Sequence, residues 1–246
     1  MKTLIVIPAR LASTRLPNKM LLAETGHTLI EHTYRAALRS RLADRVMVAA
    51  DDRSIVDAVQ AFGGEVCLTR VDHVSGTDRI AEVAANHPEY DLLVNVQGDE
   101  PEIEGSTIDA AIEMLRSSPA AAMSTVAVPI RDAQLLTDPS CVKVVVDSNS
   151  NAIYFSRSQI PYPRNLENVS SETVYSQHVG LYVYRRDFLL KFSSLARSKL
   201  EQVESLEQLR AIENGYKISV AIAEKAAKGI DTPEDYRAFV RRQMSC

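Results

Sequence analysis

Short apolar runs and longer amphipathic stretches alternate through the first half of the chain. The run TLIVIP at 3–8 is apolar on both faces, as a central strand of a parallel sheet should be. Further strand-like runs occupy 45–50, 65–69 and 91–96, and apolar residues at helical spacing occupy 29–40, 54–63 and 78–87. Because predicted strands and helices alternate, this pattern predicts a parallel sheet covered by helices.

The pattern changes after about residue 120. Strand-like runs now dominate, at 122–130, 141–157 and 178–186, with few helices between them. The polar run DSNSN at 147–151 predicts the turn of a hairpin. We therefore predict one α/β domain over 1–246, with a smaller mixed-strand insertion at about 120–215 that lines a cleft.

The rest of the second half contains a loop and two predicted helices. The polar stretch 164–173 predicts a loop, and a helix at 199–215 is followed by a strand at 217–223. A C-terminal helix begins near DTPEDY, where Asp231 or Thr232 can cap it.

Composition and charge exclude several classes of protein. The 246 residues include 28 Lys and Arg against 32 Asp and Glu, a net charge of −4, which argues against a protein that coats nucleic acid. No apolar run approaches the roughly 18 to 20 residues of a membrane span, and no signal-peptide pattern opens the chain. The three cysteines are odd in number and widely spaced, so neither disulfides nor a zinc site is predicted. We expect a cytoplasmic protein.

The segment IPARLASTRLPNK at 7–19 follows the first predicted strand and contains three cations, Arg10, Arg15 and Lys19. The first acidic residue of the chain is Glu24, so this segment is locally positive in an acidic protein. Loops at the carboxyl ends of parallel strands bind ligands, and arginine and lysine suit phosphate oxygens. The segment has neither a P-loop nor a dinucleotide fingerprint. We predict an anion site here, with a solvated basic loop as the alternative.

Two acidic motifs suggest a metal next to that anion. In VNVQGDEP, Gly98 allows close approach to the backbone, and Asp99 stands at a strand end where a magnesium ion could bridge to phosphate. Asp231 offers a second carboxylate in GIDTPEDY. An ordinary acidic turn and a helix cap, respectively, are the alternatives.

Other polar motifs are less specific. DHVSGTDR at 72–79 can form either a base or ribose pocket or a helix cap provided by Thr77 or Asp78. Arg157 could clamp a carboxylate with both branches of its guanidinium. A lone histidine such as His178 is more often structural than catalytic, and we predict no metal on it.

Taken together, these motifs resemble one known family from end to end. They are IPARLASTRLPNK, EVCLTR, HVSGTDR, VNVQGDEP, VKVV, YFSR, HVGLY, LEQLR and DTPED, in this order. The combination resembles the 3-deoxy-manno-octulosonate cytidylyltransferase (CMP-Kdo synthetase) family. The resemblance implies a three-layer α/β nucleotidyltransferase fold of the glycosyltransferase-A kind, usually a homodimer. It also implies that CTP and Kdo react to give CMP-Kdo and pyrophosphate for lipopolysaccharide biosynthesis.

The resemblance also implies roles for single residues. Arg10, Arg15 and Lys19 would hold the triphosphate, with Arg15, Lys19 and Asp99 catalytic, and Asp99 and Asp231 would hold Mg²⁺. The nucleotide side would consist of Pro8, Ala9, Arg10, Arg15, Lys19, Ser75, Gly76, Thr77, Asp78, Gln97, Gly98 and Asp99. The sugar-acid side would consist of Gln97, Arg157, His178, Tyr182, Glu207 and Gln208. Asn18 stands where the family usually has glycine, and we expect it to keep a left-handed turn.

Three alternatives remain open at this point. A CMP-sialate synthetase would use the same chemistry on a related sugar acid. A sugar-nucleotide-dependent glycosyltransferase would need no cations for a leaving pyrophosphate, and a regulator would bind CTP without turnover.

Overall fold

The computed structural model describes residues 1–165 and 175–245. The chain divides into two compact units. The first unit is Met1–Asp109, Arg185–Ser193 and Ala227–Cys246, and the second is Ala110–Tyr184 and Ser194–Ala226. The second unit overlaps the segment 120–215 that the sequence marks as an insertion.

Helices and strands follow each other closely along the chain. The strands are β1 Thr3–Ala9, β2 Arg45–Ala50, β3 Val66–Leu68, β4 Leu92–Asn95, β5 Ala121–Pro129, β6 Lys143–Val146, β7 Ala152–Ser156, β8 Ser176–Arg185 and β9 Lys217–Ile222. The helices are α1 Leu29–Ala37, α2 Arg53–Ala61, α3 Gly76–Asn86, α4 Gly105–Ser117, α5 Gln134–Thr137, α6 Arg186–Phe192, α7 Lys199–Glu204, α8 Leu209–Glu213 and α9 Pro233–Met244.

The first unit is built on a parallel sheet in the order β3-β2-β1-β4. Strand β1 pairs in parallel with β2, from Leu4 opposite Arg45 to Ala9 opposite Ala50, and on its other side with β4. Its side chains are buried at nearly every position, which explains the continuous apolar run. The prediction of a parallel sheet from the alternating pattern is confirmed here. All four strands end at the same edge, from which their loops leave.

The second unit has a mixed sheet. Strand β5 pairs antiparallel with β8 and in parallel with β9, and β6 and β7 form the predicted hairpin across Asp147–Asn151. In the turn, Asp147 Oδ1 accepts hydrogen bonds from the backbone N–H groups of Asn149 and Asn151, both at 2.8 Å. The polar run therefore closes the hairpin with its own side chain.

The single helix predicted at 199–215 is wrong. Two short helices, α7 and α8, stand there instead, because Ser205 adopts a left-handed conformation with φ 52° and ψ 48° and ends α7. The Glu204 carboxylate beside it accepts hydrogen bonds from the Ser156 hydroxyl at 2.6 Å and the Arg157 N–H at 2.9 Å. These contacts with a distant strand favour the break.

Two further expectations concern the loop at 164–173 and membrane-spanning segments. Residues 166–173 of the predicted loop lie outside the described residues. In the part of the chain that is described, none of the helices combines the length and apolar character needed to cross a membrane.

Candidate active site

The site forms where β1 and β4 end side by side in the first unit. Their parallel pairing sets Val6 opposite Asn95, so the segments that follow both strands leave the same edge. Gly98 lies so close to β1 that a Cβ there would stand 3.0 Å from the Pro8 carbonyl oxygen and 3.1 Å from Met20 Sδ. A larger residue at this position would require Pro8 or Met20 to shift. The loop at 10–19 is called the cation loop below.

The cation loop ends in a short 3₁₀ turn, Lys19–Leu21, that begins after Asn18. Asn18 has φ 52° and ψ 31°, which confirms the expectation of a left-handed residue at this position. The turn directs Lys19 inward, and the residue is only 7% exposed. Burial of an ammonium group without hydrogen-bond partners would be costly, so its acceptors matter for the stability of the site.

Lys19 lies between two acidic segments that are far apart in sequence. Its Nζ donates to Asp99 Oδ2 at 2.6 Å, to the Ile230 carbonyl oxygen at 2.9 Å and to Asp231 Oδ1 at 3.4 Å. These three acceptors satisfy all three N–H donors of the ammonium. The structure thus brings together Lys19, Asp99 and Asp231, as the sequence predicts.

Backbone contacts fix Asp231 in this position. The Ile230 N–H donates to the Asp99 carbonyl oxygen at 2.9 Å, which ties the two acidic segments together. Thr232 is the N-cap of α9, in a capping box with Asp235, and Pro233 follows in the first turn. Of the two caps that the sequence allows, Thr232 is therefore the one used. The Asp231 carboxylate is left to contact Lys19 and Arg15.

The two arginines of the loop differ in their surroundings. Arg15 Nη2 donates to Asp231 Oδ1 at 2.9 Å, in an exposed pair that contributes little stability by itself. Arg10 is half-buried, and its Nη2 is buried with no hydrogen-bond partner among the described residues. A buried guanidinium nitrogen without an acceptor suits an incoming anion.

Glu100 is a carboxylate that the sequence did not single out. Its Oε2 is buried without a hydrogen-bond partner among the described residues. Burial, and secondarily the charge of Asp99, raises the pKa of Glu100 to about 8. No signal in the sequence distinguishes Glu100 from an acidic residue in an ordinary turn.

The segment Ser75–Asp78 begins helix α3. Ser75 is the N-cap, and its Oγ accepts from the Asp78 N–H at 3.1 Å while Asp78 Oδ2 accepts from the Ser75 N–H at 3.0 Å. The capping alternative therefore applies, with Ser75 as the cap in place of the predicted Thr77 or Asp78. Gly76 packs close to Pro8, whose Cγ would lie 3.3 Å from a Cβ at that position. The segment is thus held next to the end of β1, where Ala9 is buried and Gln97 lies half-buried after β4.

In the second unit, Arg157 is held by main-chain oxygens. Its guanidinium donates to the carbonyls of Glu204 at 2.8 Å and Pro139 at 2.8 Å, and more weakly to Ser205 at 3.4 Å. A substrate carboxylate could therefore bind only to guanidinium N–H groups that do not already donate to these carbonyls, unless the side chain moves.

His178 lies in a different setting, among aromatic rings. Its ring centroid is 5.4 Å from that of Tyr182 and 5.0 Å from that of Phe155. Burial lowers the pKa of His178 to about 3, so the ring is neutral. Thr125 Oγ1 donates to the Leu181 carbonyl at 2.8 Å and lies 3.0 Å from His178 Nε2. A ring proton on Nε2 with the hydroxyl proton on a carbonyl would satisfy both groups.

The remaining two predicted residues are near α8. Glu207 Oε1 accepts from Arg210 Nη2 at 3.4 Å, and Gln208 is 4% exposed with a buried Nε2 that lacks a partner among the described residues. Each side chain thus has a place in the second unit, where the rings of His178 and Tyr182 contact each other.

The donor set for a metal is limited to carboxylates. In the described parts of the chain, no three His, Cys, Asp or Glu side chains converge closely enough to hold a metal by themselves. Asp99 and Asp231 provide two, and the other oxygen of each, Oδ1 and Oδ2 respectively, makes no hydrogen bond to a described residue. Two hard carboxylates that need substrate phosphates to complete the shell fit magnesium.

Comparison with known proteins identifies the family of this chain. A family model described as "Cytidylyltransferase" matches residues 4–218. The 3-deoxy-manno-octulosonate cytidylyltransferase of Rhodopirellula baltica is 51% identical over 98% of both chains, and that of Syntrophotalea carbinolica is 49% identical over 94% of both. A solved structure of CMP:2-keto-3-deoxy-manno-octonic acid synthetase complexed with CTP superposes with a TM-score of 0.94 at 43% identity, over 100% of this chain and 99% of that one. The nucleotidyltransferase fold that the sequence implies is confirmed, and this chain belongs to the 3-deoxy-manno-octulosonate cytidylyltransferase family of nucleotidyltransferases.

Proposed function

We propose that this chain transfers CMP from CTP to Kdo and releases pyrophosphate. The observation that carries this proposal is the buried Lys19 ammonium between Asp99 and Asp231, with two arginines in the same loop. Cations that face a triphosphate beside paired carboxylates suit phosphoryl chemistry, which needs positioning and charge neutralisation more than covalent catalysis.

The cation loop would bind the triphosphate. The buried Arg10 Nη2 has no acceptor of its own among the described residues, so phosphate would complete its hydrogen bonding. Arg15 is exposed and can turn from Asp231 to phosphate at little cost. Lys19 already has three acceptors, and its 3.4 Å contact with Asp231 is the longest. We expect this contact to be the one exchanged for a phosphate oxygen.

Asp99 and Asp231 would hold Mg²⁺. When bound, the ion would supply charge neutralisation at the phosphate oxygens of CTP. The chain itself keeps both carboxylates in place through Lys19 and through the bond from the Ile230 N–H to the Asp99 carbonyl.

The reaction would be an in-line attack of the anomeric 2-hydroxyl of Kdo on the α-phosphorus, with pyrophosphate leaving. Arg15 and Lys19 would neutralise the charge that develops on the departing pyrophosphate. Residues Gln97, Arg157, His178, Tyr182, Glu207 and Gln208 remain the proposed sugar-acid side. The neutral His178 can orient a hydroxyl through a hydrogen bond, but its low pKa makes it a poor proton acceptor.

The experiment is pyrophosphate release from CTP with a panel of sugar acids, with and without Mg²⁺. We expect release with Kdo and Mg²⁺, and little with N-acetylneuraminate or without acceptor. Preference for N-acetylneuraminate would favour the sialate alternative. CTP binding without turnover on any acid would refute the proposal and favour a regulator. Four expectations remain predictions: a role of the product in lipopolysaccharide biosynthesis, a cytoplasmic location, a homodimer, and a single domain with an insertion.

A further inference from the structure

A buried arginine outside the predicted site ties the ends of two strands to helix α3. Arg79 of α3 is completely buried. Its Nη1 donates to the Thr69 hydroxyl and, at 3.1 Å, to the Arg70 carbonyl, both just after β3. Its Nη2 donates to Asp51 Oδ2 at 3.4 Å, just after β2. One side chain thus connects α3 to the segments that follow two parallel strands.

Asp51 extends this connection to the cation loop. Its other oxygen, Oδ1, accepts from the backbone N–H of Leu11 at 2.9 Å, between Arg10 and Arg15. Its own N–H donates to the Ala9 carbonyl at the end of β1, at 3.3 Å. Asp51 and Leu11 also line a cavity of about 480 Å³ together with Ser13 and Asn18 of the loop. The half-buried carboxylate of Asp51 therefore holds the start of the cation loop in place through the Leu11 N–H.

The charges explain why this connection is more than packing. Burial lowers the pKa of the Arg79 guanidinium, Asp51 raises it, and the nearby Arg10 lowers it. Asp51 is thus the counter-ion in a region where two guanidinium groups lie near each other. The Arg79 guanidinium is buried and the Asp51 carboxylate is half-buried, and each makes further hydrogen bonds besides the one between them. These bonds hold both groups in one orientation.

We propose that Asp51 and Arg79 are positioning residues for the nucleotide, which set the conformation of the cation loop through the Leu11 N–H. This inference rests on the proposed function. Neither Asp51 nor Arg79 would contact the substrate itself. Loss of the pair would displace Arg10 and Arg15, so that CTP binding weakens while binding of the sugar acid does not.

The test compares neighbouring aspartates. Asp51→Ala removes both the counter-ion and the acceptor for Leu11, whereas Asp51→Asn keeps an acceptor oxygen. Asp52→Ala is the matched control, because Asp52 lines the same cavity but its carboxylate contacts Ser54 at the start of α2, accepting from the N–H at 2.8 Å and from the hydroxyl at 2.6 Å. We expect Asp51→Ala to raise the dissociation constant and KM for CTP by about tenfold or more, with KM for Kdo within twofold. Asp51→Asn should recover part of this loss. Asp52→Ala should lower Tm and leave CTP binding unchanged.

A second variant covers the case in which Asp51→Ala does not fold. Thr69→Val keeps the volume of a residue that is 5% exposed and removes one acceptor of Arg79. We expect a smaller rise in KM for CTP, about two- to fivefold, again without a change for Kdo. If Asp51 or Thr69 variants lose stability but bind CTP like the wild type, the pair is only structural and the inference is overturned. In that case wild-type turnover still supports the proposed function. If the wild type does not bind CTP, it is the proposed function that fails.

Discussion

Replacing Lys19 with alanine is the most direct test of the site. The change removes a buried ammonium whose three donors reach Asp99 Oδ2 at 2.6 Å, Ile230 O at 2.9 Å and Asp231 Oδ1 at 3.4 Å. Removal of one preorganised charged donor costs about 10²–10³ in kcat, or about 2.7–4 kcal/mol of transition-state stabilisation. We therefore expect kcat of Lys19→Ala to fall by at least about 10².

The same change also affects stability, to a smaller extent. Asp99 and Asp231 would lose their shared counter-ion, but their side chains are 28% and 48% exposed and can take up water. Hydrogen bonds to charged groups contribute roughly 1.5–3 kcal/mol, and water replaces much of this here, so we expect a loss of about 1–2 kcal/mol in the free energy of unfolding. The protein should stay folded at 25 °C, which urea unfolding followed by circular dichroism can verify.

Lys228→Ala is the matched control. Lys228 also pairs with a carboxylate at the start of α9, Asp235 Oδ1 at 3.0 Å, but its side chain is 67% exposed. We expect Lys228→Ala to keep turnover within twofold. The assay is pyrophosphate release at saturating CTP and Kdo. Turnover of Lys19→Ala near that of Lys228→Ala in folded protein would remove Lys19 from the mechanism.

Three further predictions concern other parts of the chain. Asp99→Asn and Asp231→Asn should each lower kcat by about 10² or more at unchanged fold. Asp235→Asn weakens the cap of α9 and the contacts of Asp235 with Lys228 and the Asp231 N–H but leaves the Asp231 carboxylate unchanged, so it should lower Tm and keep kcat; equal losses of kcat in all three would contradict the assignment. Gly98→Ala should lower the free energy of unfolding by about 1–3 kcal/mol and weaken CTP binding, because its Cβ would meet the Pro8 carbonyl oxygen at 3.0 Å. Gly229→Ala, with nothing within 4 Å of its Cβ, should leave stability unchanged when both variants are compared by thermal unfolding. Burial lowers the pKa of His178 to about 3, and the unfolded chain binds a proton near pH 6.5. Its contribution to stability is therefore complete above about pH 6.5 and is lost as the pH falls toward 3, by roughly 2 kcal/mol between pH 7 and pH 5. Urea midpoints of the wild type and His178→Gln at the two pH values measure this, and equal pH dependence in both proteins would refute it.

Local patterns in the sequence predict several elements of both units well. The apolar run of β1, the bounds of β2 at 45–50 and the hairpin turn at 147–151 all follow from residue type and spacing. Helix α4 was not predicted, although Ile108, Ala111, Ile112 and Leu115 are all buried at helical spacing. That signal was present in the sequence.

Other features depend on partners that are far away along the chain. The break at Ser205 coincides with the contacts of Glu204 to Ser156 and Arg157, which are 47 or 48 positions away. The Asp51–Arg79 pair and the three carbonyls around Arg157 are likewise invisible to any local pattern. Sequence can name the polar residues at strand ends, but only the folded chain decides which of them become each other's partners.

The convergence of Lys19, Asp99 and Asp231 shows why the site can be formed before any substrate arrives. The carboxylates of Asp99 and Asp231 repel each other, and the Lys19 ammonium that contacts both offsets this repulsion by its attraction to each. The Ile230 N–H bonds to the Asp99 carbonyl and fixes the two segments independently of charge. We expect triphosphate binding to exchange the long 3.4 Å contact of Lys19 for a phosphate oxygen and to leave the 2.6 Å contact in place. Little reorganisation is therefore needed, which is the condition under which electrostatic stabilisation of a transition state is most effective.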